Sequence, residues 1–216
     1  ATGNSIRFKK IYRGEIFEEG RRGPLGDPGV NVAEGEYLLA IDGRPVNRNV
    51  HPNSLLLGKA GRFVTLTVNS TPSTEGARKV RVRTIASEAN LRYVSFVEEC
   101  RQKVEKASGG RIGYMHVPNT AFEGSVEFIR GFYSQTDKDA LIVDERWNGG
   151  GYIQPWFVDT LARKQRIGIQ PRHGEDTPEA PTIDGPKAIL INGYAGSGGD
   201  FFPWMFRQSK LGPLIG

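Results

Sequence analysis

The sequence predicts an α/β fold joined to a smaller, mostly-β segment, and three observations carry that prediction. Beyond about residue 88, stretches with helical apolar spacing alternate with short, wholly apolar runs, the pattern of helices and buried strands in turn. The residues before that point show short alternating runs broken by glycine, proline and an Asp-Gly turn. Two of the apolar runs, "ALIVD" and "KAILI", lead directly into glycine clusters, "NGGG" and "GSGGD". In an open α/β sheet, ligands bind beyond the carboxyl ends of the strands, so these two ends define a candidate site.

In the first part, "IRFKKIYRG" alternates as a strand does. The glycine- and proline-rich "GRRGPLGDPGVNVAEGEY" is loop with a short turn of helix. "YLLAIDGRPV" reads as two short strands about Asp42-Gly43, a strong hairpin signal. "HPNSLLLGKAG" is a short helix, with Asn53 or Ser54 as its cap and Gly58 or Gly61 at its end. "RFVTLTVNS" and "RKVRVRTIA" make a second hairpin.

In the second part, "SEANLRYVSFVEECRQKVEKASGGR" carries Leu91, Val94, Phe96 and Val97 on one helical face and stops at Gly109-Gly110. "RIGYMHVPNT" is a strand. "AFEGSVEFIRGFYSQT" is a helix with Phe122, Val126, Ile129 and Phe132 inward. "IQPWFVDTLARK" is helical, and "RIGIQPRHGEDTPEAPTIDG" is a strand followed by a polar loop. "FFPWMFRQSKLG" is a helix whose aromatic run forms its buried face, and "PLIG" starts another strand. The expected division is a first domain over 1–87 and a second over 88–216.

Composition narrows the function classes. With 216 residues, 38% hydrophobic and 25% charged, the chain has the balance of a globular protein able to bury a real core. The net charge of +5 raises the question of nucleic acid. The basic residues, however, fall in short separate runs, and in "RKVRVR" they alternate with Val80 and Val82 as one exposed strand face, so no nucleic-acid partner is expected. The single cysteine, Cys100, sits in a helical pattern and has no internal disulfide partner, which fits a reducing, cytoplasmic setting. No apolar run reaches 18 residues, so no membrane span is expected. Neither a zinc-type His/Cys spacing nor a phosphate loop occurs, and no metal or cofactor is expected.

"GYAGSGGD" is the most chemically suggestive stretch. Ser197 falls just before the expected helix, beside free N–H groups and the positive end of the helix dipole. Backbone donors there can hold an oxyanion, and the glycines permit a tight turn and close substrate approach. Two readings stay open: a nucleophile placed at a sharp strand-to-helix turn, or a capping role for Ser197 or Asp200. Gly149, Gly150 and Gly151 likewise read either as a source of a second oxyanion donor or as a tight connection.

A nucleophilic serine needs a base. His51 begins the first helix, His116 lies on the strand "YMHVP", and His173 sits in a polar loop. Each reads as structural or solvated, with His116 the one worth testing near Ser197.

Two resemblances sharpen this picture. "PLGDPGVNVAEGEYLLAIDGRPV", with the helix and hairpin after it, resembles a PDZ domain of the bacterial protease-associated type, Glu36 standing where an aspartate is usual. Such domains add an extended peptide to a sheet edge. A strand ending in "DERWNGGG", followed by one ending in "GSGGD", resembles the tricorn protease family, serine peptidases related to the C-terminal processing proteases. The order of PDZ segment, helix, "GYMHVPNT" and these two ends extends the likeness over nearly all 216 residues.

The resemblance implies a crotonase-like or ClpP-like α/β protease core, here truncated. It further implies peptide substrates, a homo-oligomer, Ser197 as nucleophile, and the amides of Gly198 and Gly150 as the oxyanion hole. Gly150 rests on ungapped spacing, so Gly149 stays open. In that pattern the histidine base precedes the PDZ segment and an orienting glutamate follows the stretch seen here, so the chain by itself is expected to be inactive. The related processing proteases use a lysine some two dozen residues after the serine, which Lys210 does not match. The acidic loop residues Glu175, Asp176, Glu179 and Asp184 raise the idea of a basic residue at the cleavage position, although solvated loop charge is the simpler reading of them. The alternative function is a PDZ-type peptide-binding or scaffold protein with a non-catalytic α/β half.

Overall fold

The computed structural model describes residues 5–15, 17–178 and 180–216. Glu179, one of the acidic loop residues above, lies outside them. The chain forms two compact units, residues 1–96 and 97–216.

The first unit is built on an antiparallel sheet. Strands β1 (Ile6–Arg7), β2 (Tyr37–Ile41), β4 (Phe63–Asn69) and β5 (Arg78–Arg83) lie in that order, and β3 (Arg44–Pro45) pairs with β2. The β2–β3 turn has Asp42 at φ 48° and Gly43 at φ 76°. Two positive φ values are what a two-residue turn needs to match the strand twist. The Asp42 carboxylate makes this tolerable, accepting from the Thr65 N–H at 2.8 Å and from Lys59 Nζ at 2.6 Å. Inward residues of alternate strand positions, among them Leu38, Ile41, Val64, Val68 and Val82, close the core with Val32, Val46 and Leu55.

Two expectations need correction here. The strand expected over "IRFKKIYRG" is only Ile6–Arg7. After Phe8, which still exchanges backbone bonds with Gly35 and Glu36, the Ile11 N–H turns to the Glu34 carboxylate at 2.8 Å, and the strand ends. Helix α1 (Pro52–Leu56) is capped by His51, not by Asn53 or Ser54: its Nδ1 accepts from the Asn53 N–H at 3.2 Å, and Pro52 fills the first helical position.

Glu36 replaces the usual aspartate with one more methylene, and the extra reach is used. Its carboxylate takes a bidentate pair from Arg78, both contacts at 2.7 Å, and also accepts from the Ala33 N–H at 2.9 Å. The Arg78 guanidinium holds Glu36 below the usual carboxylate range.

Helix α2 (Ala89–Ser108) straddles the division between the units and ends at Gly109 and Gly110, both with positive φ. Leu91 is buried, while Val94, Phe96 and Val97 are half-buried. The second unit then alternates β6 (Ile112–His116), α3 (Phe122–Tyr133), β7 (Ala140–Asp144), α4 (Gln154–Ala162), the small antiparallel pair β8 (Gly168–Ile169) and β9 (Thr177–Pro178), β10 (Lys187–Leu190), α5 (Gly198–Gln208) and β11 (Leu214–Ile215). The main sheet is wholly parallel in the order β11-β10-β7-β6. Its strands are therefore read as continuous apolar runs, and all their carboxyl ends share one edge.

The core of this unit joins Leu141, Val143 and Ile189 of the sheet to Phe128 and Phe132 of α3, Phe157 and Leu161 of α4, and Phe202 and Phe206 of α5. Phe128 stacks on Phe157 with ring centroids 4.5 Å apart. The expected inward face of α3 is wrong by part of a turn. Gly124, Phe128 and Phe132 are buried, whereas Phe122 and Ile129 are exposed. Gly124 fixes that rotation: a Cβ there would lie 1.7 Å from the Asn119 carbonyl oxygen, so only glycine fits against the strand exit. The aromatic run of α5 is likewise split, with Phe202 and Phe206 buried and Phe201 and Trp204 exposed.

Glu36→Gln should lower the stability of the first unit by about 1 kcal/mol at neutral pH, since a charge-assisted pair is lost at a partly exposed site. Because the folded carboxyl titrates below its ordinary 4.5, its contribution is present above that value and is lost as pH falls. Thermal unfolding of the two proteins should therefore differ at pH 7 and converge in acid; curves that stay apart in acid would refute this role.

Candidate active site

Strands β7 and β10 are neighbours in register, with Asp144 opposite Leu190, so the segments that follow them leave the sheet side by side. The β7 exit is organised by Asp144, which is fully buried. It accepts from the Tyr114 hydroxyl at 2.7 Å and from Arg146 through the guanidinium at 2.6 and 2.9 Å and the backbone N–H at 3.1 Å. Burial pushes this carboxyl up, but the bonds from Arg146 and Tyr114 outweigh it and hold Asp144 below the usual carboxylate range.

The glycine cluster is then stitched to the segment following β6. The Gly149 N–H donates to the Pro118 carbonyl at 2.9 Å, the Thr120 N–H to the Gly150 carbonyl at 2.9 Å, and the Tyr152 and Ile153 N–H groups to the Thr120 carbonyl at 2.8 and 3.0 Å. The β10 exit is tied to the β7 exit in turn. Asn192 Oδ1 accepts from both the Trp147 and Tyr194 N–H groups at 3.1 Å, and the Asn148 carbonyl accepts from the Gly196 N–H at 3.2 Å.

Ser197 stands at the turn from this segment into α5, exposed, with φ 58° and ψ −121°. A non-glycine residue in that region is strained and persists only where its surroundings fix it. The fixing contacts are glycines. A Cβ on Gly150 would lie 2.8 Å from Ser197 Cβ and 3.1 Å from the Gly198 nitrogen. A Cβ on Gly198 would lie 2.2 Å from Thr120 Oγ1 and 2.3 Å from the Gly151 carbonyl oxygen, and one on Gly199 would lie 2.8 Å from the Asn148 carbonyl oxygen. The glycines thus bring Ser197, Gly198 and Gly150 into direct backbone contact.

Of the two readings of Ser197, capping finds no support: the side chain makes no cap hydrogen bond, and its hydroxyl has no partner among the described residues. The Gly198 N–H, at the first position of α5, also finds no acceptor among the described residues. Gly150 differs from the sequence expectation. Its N–H is already engaged, donating to Asn148 Oδ1 at 2.8 Å, because the asparagine side chain folds back over its own loop. Gly149, the other choice, is engaged by Pro118.

No histidine among the described residues serves as a base here. His116 is buried, with Nε2 3.0 Å from the Arg146 carbonyl oxygen, and burial pulls it below its ordinary value, so it is neutral at pH 7. His51 caps α1, and His173 is exposed in its loop. The buried Lys187 points at the Gly185 carbonyl at 3.1 Å, at the opposite, amino end of β10, and burial pulls it down as well. Lys210 lies beyond the far end of α5, an 11-residue helix about 16 Å long at 1.5 Å per residue, with Ser197 at its other end.

Several residues at this edge escape the sequence reading. Asp144, Arg146, Asn148 and Asn192 flank the glycines, and their polarity at the ends of apolar strands was the available signal. Thr120 had none beyond its place in "VPNT". Glu145 is the least expected: it is buried, and neither carboxyl oxygen has a partner among the described residues. Burial, then the charges of Asp200 and Asp144, push its carboxyl up to about 8.

Comparison with known proteins fits this geometry. Residues 1–87 match the family model "Tricorn protease PDZ domain", and residues 111–216 match "Peptidase family S41". A crystal structure of the tricorn protease superposes on 98% of the chain with a TM-score of 0.90 at 30% identity, using 20% of that chain. The chain belongs to the tricorn protease family. It is 37% identical to a tricorn protease homolog of Saccharolobus solfataricus over 219 aligned residues, all of this chain and 20% of that protein. It is 33% identical to the tricorn protease of Thermoplasma acidophilum, over 99% of this chain and 20% of that protein. The chain thus spans about a fifth of the length of these relatives. Among the described residues no helix is long and apolar enough to cross a membrane.

A carboxyl whose folded value is raised favours folding while it is neutral. Glu145 should therefore cost stability as pH rises from about 4.5 through 8, by roughly 3–5 kcal/mol in all at about 1.4 kcal/mol per tenfold change in proton affinity. Melting temperature plotted from pH 6 to 9 should fall in the native protein and stay level in Glu145→Gln. Parallel curves would show that Glu145 is ionised or paired in solution.

Proposed function

We propose that this chain supplies the nucleophile and oxyanion donors of a serine peptidase. The observation that carries the proposal is Ser197: an exposed hydroxyl on a left-handed, strained backbone, held against Gly150 at the start of α5. In the reaction, Ser197 Oγ attacks the carbonyl carbon of a peptide bond and gives up its proton to a base. The carbonyl π electrons move onto oxygen, and the Gly198 N–H and the helix dipole meet that developing charge. Gly150 is the second donor, its N–H passing from Asn148 Oδ1 to the oxyanion. Collapse expels the amine, which takes the proton, and leaves an acyl ester on Ser197 that water hydrolyses.

Ser197 has no partner among the described residues, and the base and its orienting group come from elsewhere in the full-length polypeptide, so residues 1–216 alone are inactive. The substrates are peptides. The protein is cytoplasmic and homo-oligomeric, with no nucleic-acid or membrane partner, and its PDZ domain and peptidase core divide between residues 87 and 88.

A second reading draws on the first unit. A cleft of about 720 Å³ lined by Ile6, Phe8, Leu56, Leu57 and Val64 lies beside the sheet-end strand β1 and helix α1. It is suited to an extended peptide added along β1, as a peptide-binding or scaffold protein would use it.

A peptidyl phosphonate should label the full-length polypeptide at Ser197, and Ser197→Ala should abolish both labelling and peptide release, a loss of at least about 10³-fold. Residues 1–216 alone should release no peptide. Full peptide release by Ser197→Ala would dismiss Ser197 as the nucleophile, whereas peptide bound but never cleaved by the full-length polypeptide would leave peptide binding as the function.

A further inference from the structure

Asn148 is fully buried, and each of its polar groups is used. The backbone N–H donates to the Glu145 carbonyl at 3.0 Å, and the carbonyl accepts from Gly196 at 3.2 Å. In the side chain, Nδ2 donates to the Val117 carbonyl at 3.2 Å, and Oδ1 accepts from the Gly150 N–H at 2.8 Å. The partners fix the orientation of the amide, since Val117 offers an acceptor and Gly150 a donor. One residue therefore fastens the β6 exit, the glycine cluster and the segment that carries Ser197.

We propose that Asn148 is a positioning residue that occupies the Gly150 N–H in the free enzyme and yields it to the oxyanion. This rests on the reading of Ser197 as nucleophile and deepens it. The substrate's neutral carbonyl oxygen offers Gly150 nothing beyond what the neutral amide oxygen already gives. A charged oxygen forms a much stronger bond and displaces it. The Gly150 donor is thus gained only as charge develops, which makes it an interaction of the transition state and not of the bound substrate. Until then Asn148 keeps the N–H aimed and keeps water off it.

Asn148→Asp tests this in the full-length polypeptide, because it retains the shape and the acceptor. Once ionised, the introduced carboxylate gives Gly150 a charged partner that the oxyanion cannot displace and offers Val117 no donor. The expected result is a kcat lower by about 100-fold with KM within about twofold. As pH falls and the carboxyl protonates, its O–H replaces the lost donor to Val117 and kcat returns toward the native value. Asn148→Ala, which lacks both groups, should stay low at every pH. Native kcat in ionised Asn148→Asp, or kcat and KM changing together without recovery in acid, would overturn the proposal.

Should the variants fold poorly, the native protein decides through the structure of its phosphonate adduct. The phosphonyl oxygen should lie within hydrogen-bond distance of both the Gly198 and Gly150 nitrogens, with Asn148 Oδ1 withdrawn beyond about 3.5 Å from the latter. An adduct on Ser197 with the Gly150–Asn148 bond intact overturns this proposal alone. An adduct on any other residue overturns the nucleophile reading and this one with it.

Discussion

The constraint on which the active edge depends is a close approach of two backbones. Ser197 can hold a left-handed conformation only because Gly150 leaves no side chain where the serine Cβ sits. Such strain costs on the order of 1–3 kcal/mol and must be offset by the surroundings. Here the surroundings are the parallel pairing of β7 with β10, the buried aromatic contacts of α5 and the two asparagines that join the strand exits. Any side chain at Gly150, Gly198 or Gly199 would push the two exits apart before touching a substrate. The glycine clusters are therefore packing residues of the sheet edge first, and that packing is what makes an exposed serine hydroxyl and free helix N–H meet.

A second consequence concerns charge. Asp144 is buried yet ionised because four bonds satisfy it, while Glu145, the next residue, has none among the described residues and is pushed toward neutrality. Adjacent positions leaving a strand meet different surroundings: Asp144 bonds to Tyr114 and Arg146, whereas Glu145 feels the charge of Asp200 on α5. The ionised carboxylate fixes the path of the chain into "RWNGGG". The neutral one avoids placing a second negative charge near Asp200 at the head of α5.

Much of this was legible in the sequence. The α/β layer followed from helices alternating with unbroken apolar runs, and the β2–β3 hairpin from Asp42-Gly43. Ser197 stood out because a lone hydroxyl among glycines at a strand end has few structural uses. What escaped depended on three-dimensional contact. The inward face of α3 turned on Gly124 against the Asn119 carbonyl, which no periodicity encodes, and β1 stopped early because Glu34 captured the Ile11 N–H. The occupied state of the Gly150 amide required knowing that the Asn148 side chain folds back rather than outward.

The polar groups of this edge also divide by whether they are satisfied, and the division has a mechanistic meaning. Those that hold backbone in place, Asp144, Asn148 and Asn192, all have partners. The groups that remain open among the described residues include the Ser197 hydroxyl and the Gly198 N–H. A scaffold residue left unsatisfied loosens the fold, whereas a reacting group left unsatisfied in the free state is available to its substrate. In the proposed reaction the exposed Ser197 hydroxyl and the Gly198 N–H are groups of this second kind, set apart from the buried Glu145 and Thr120 side chains that also lack partners among the described residues, and the role they leave unfilled is that of the base. In the proposed reaction this unit would fix the nucleophile and stabilise the oxyanion without itself moving the proton, so the rate would be set by the group that acts on Ser197 as base.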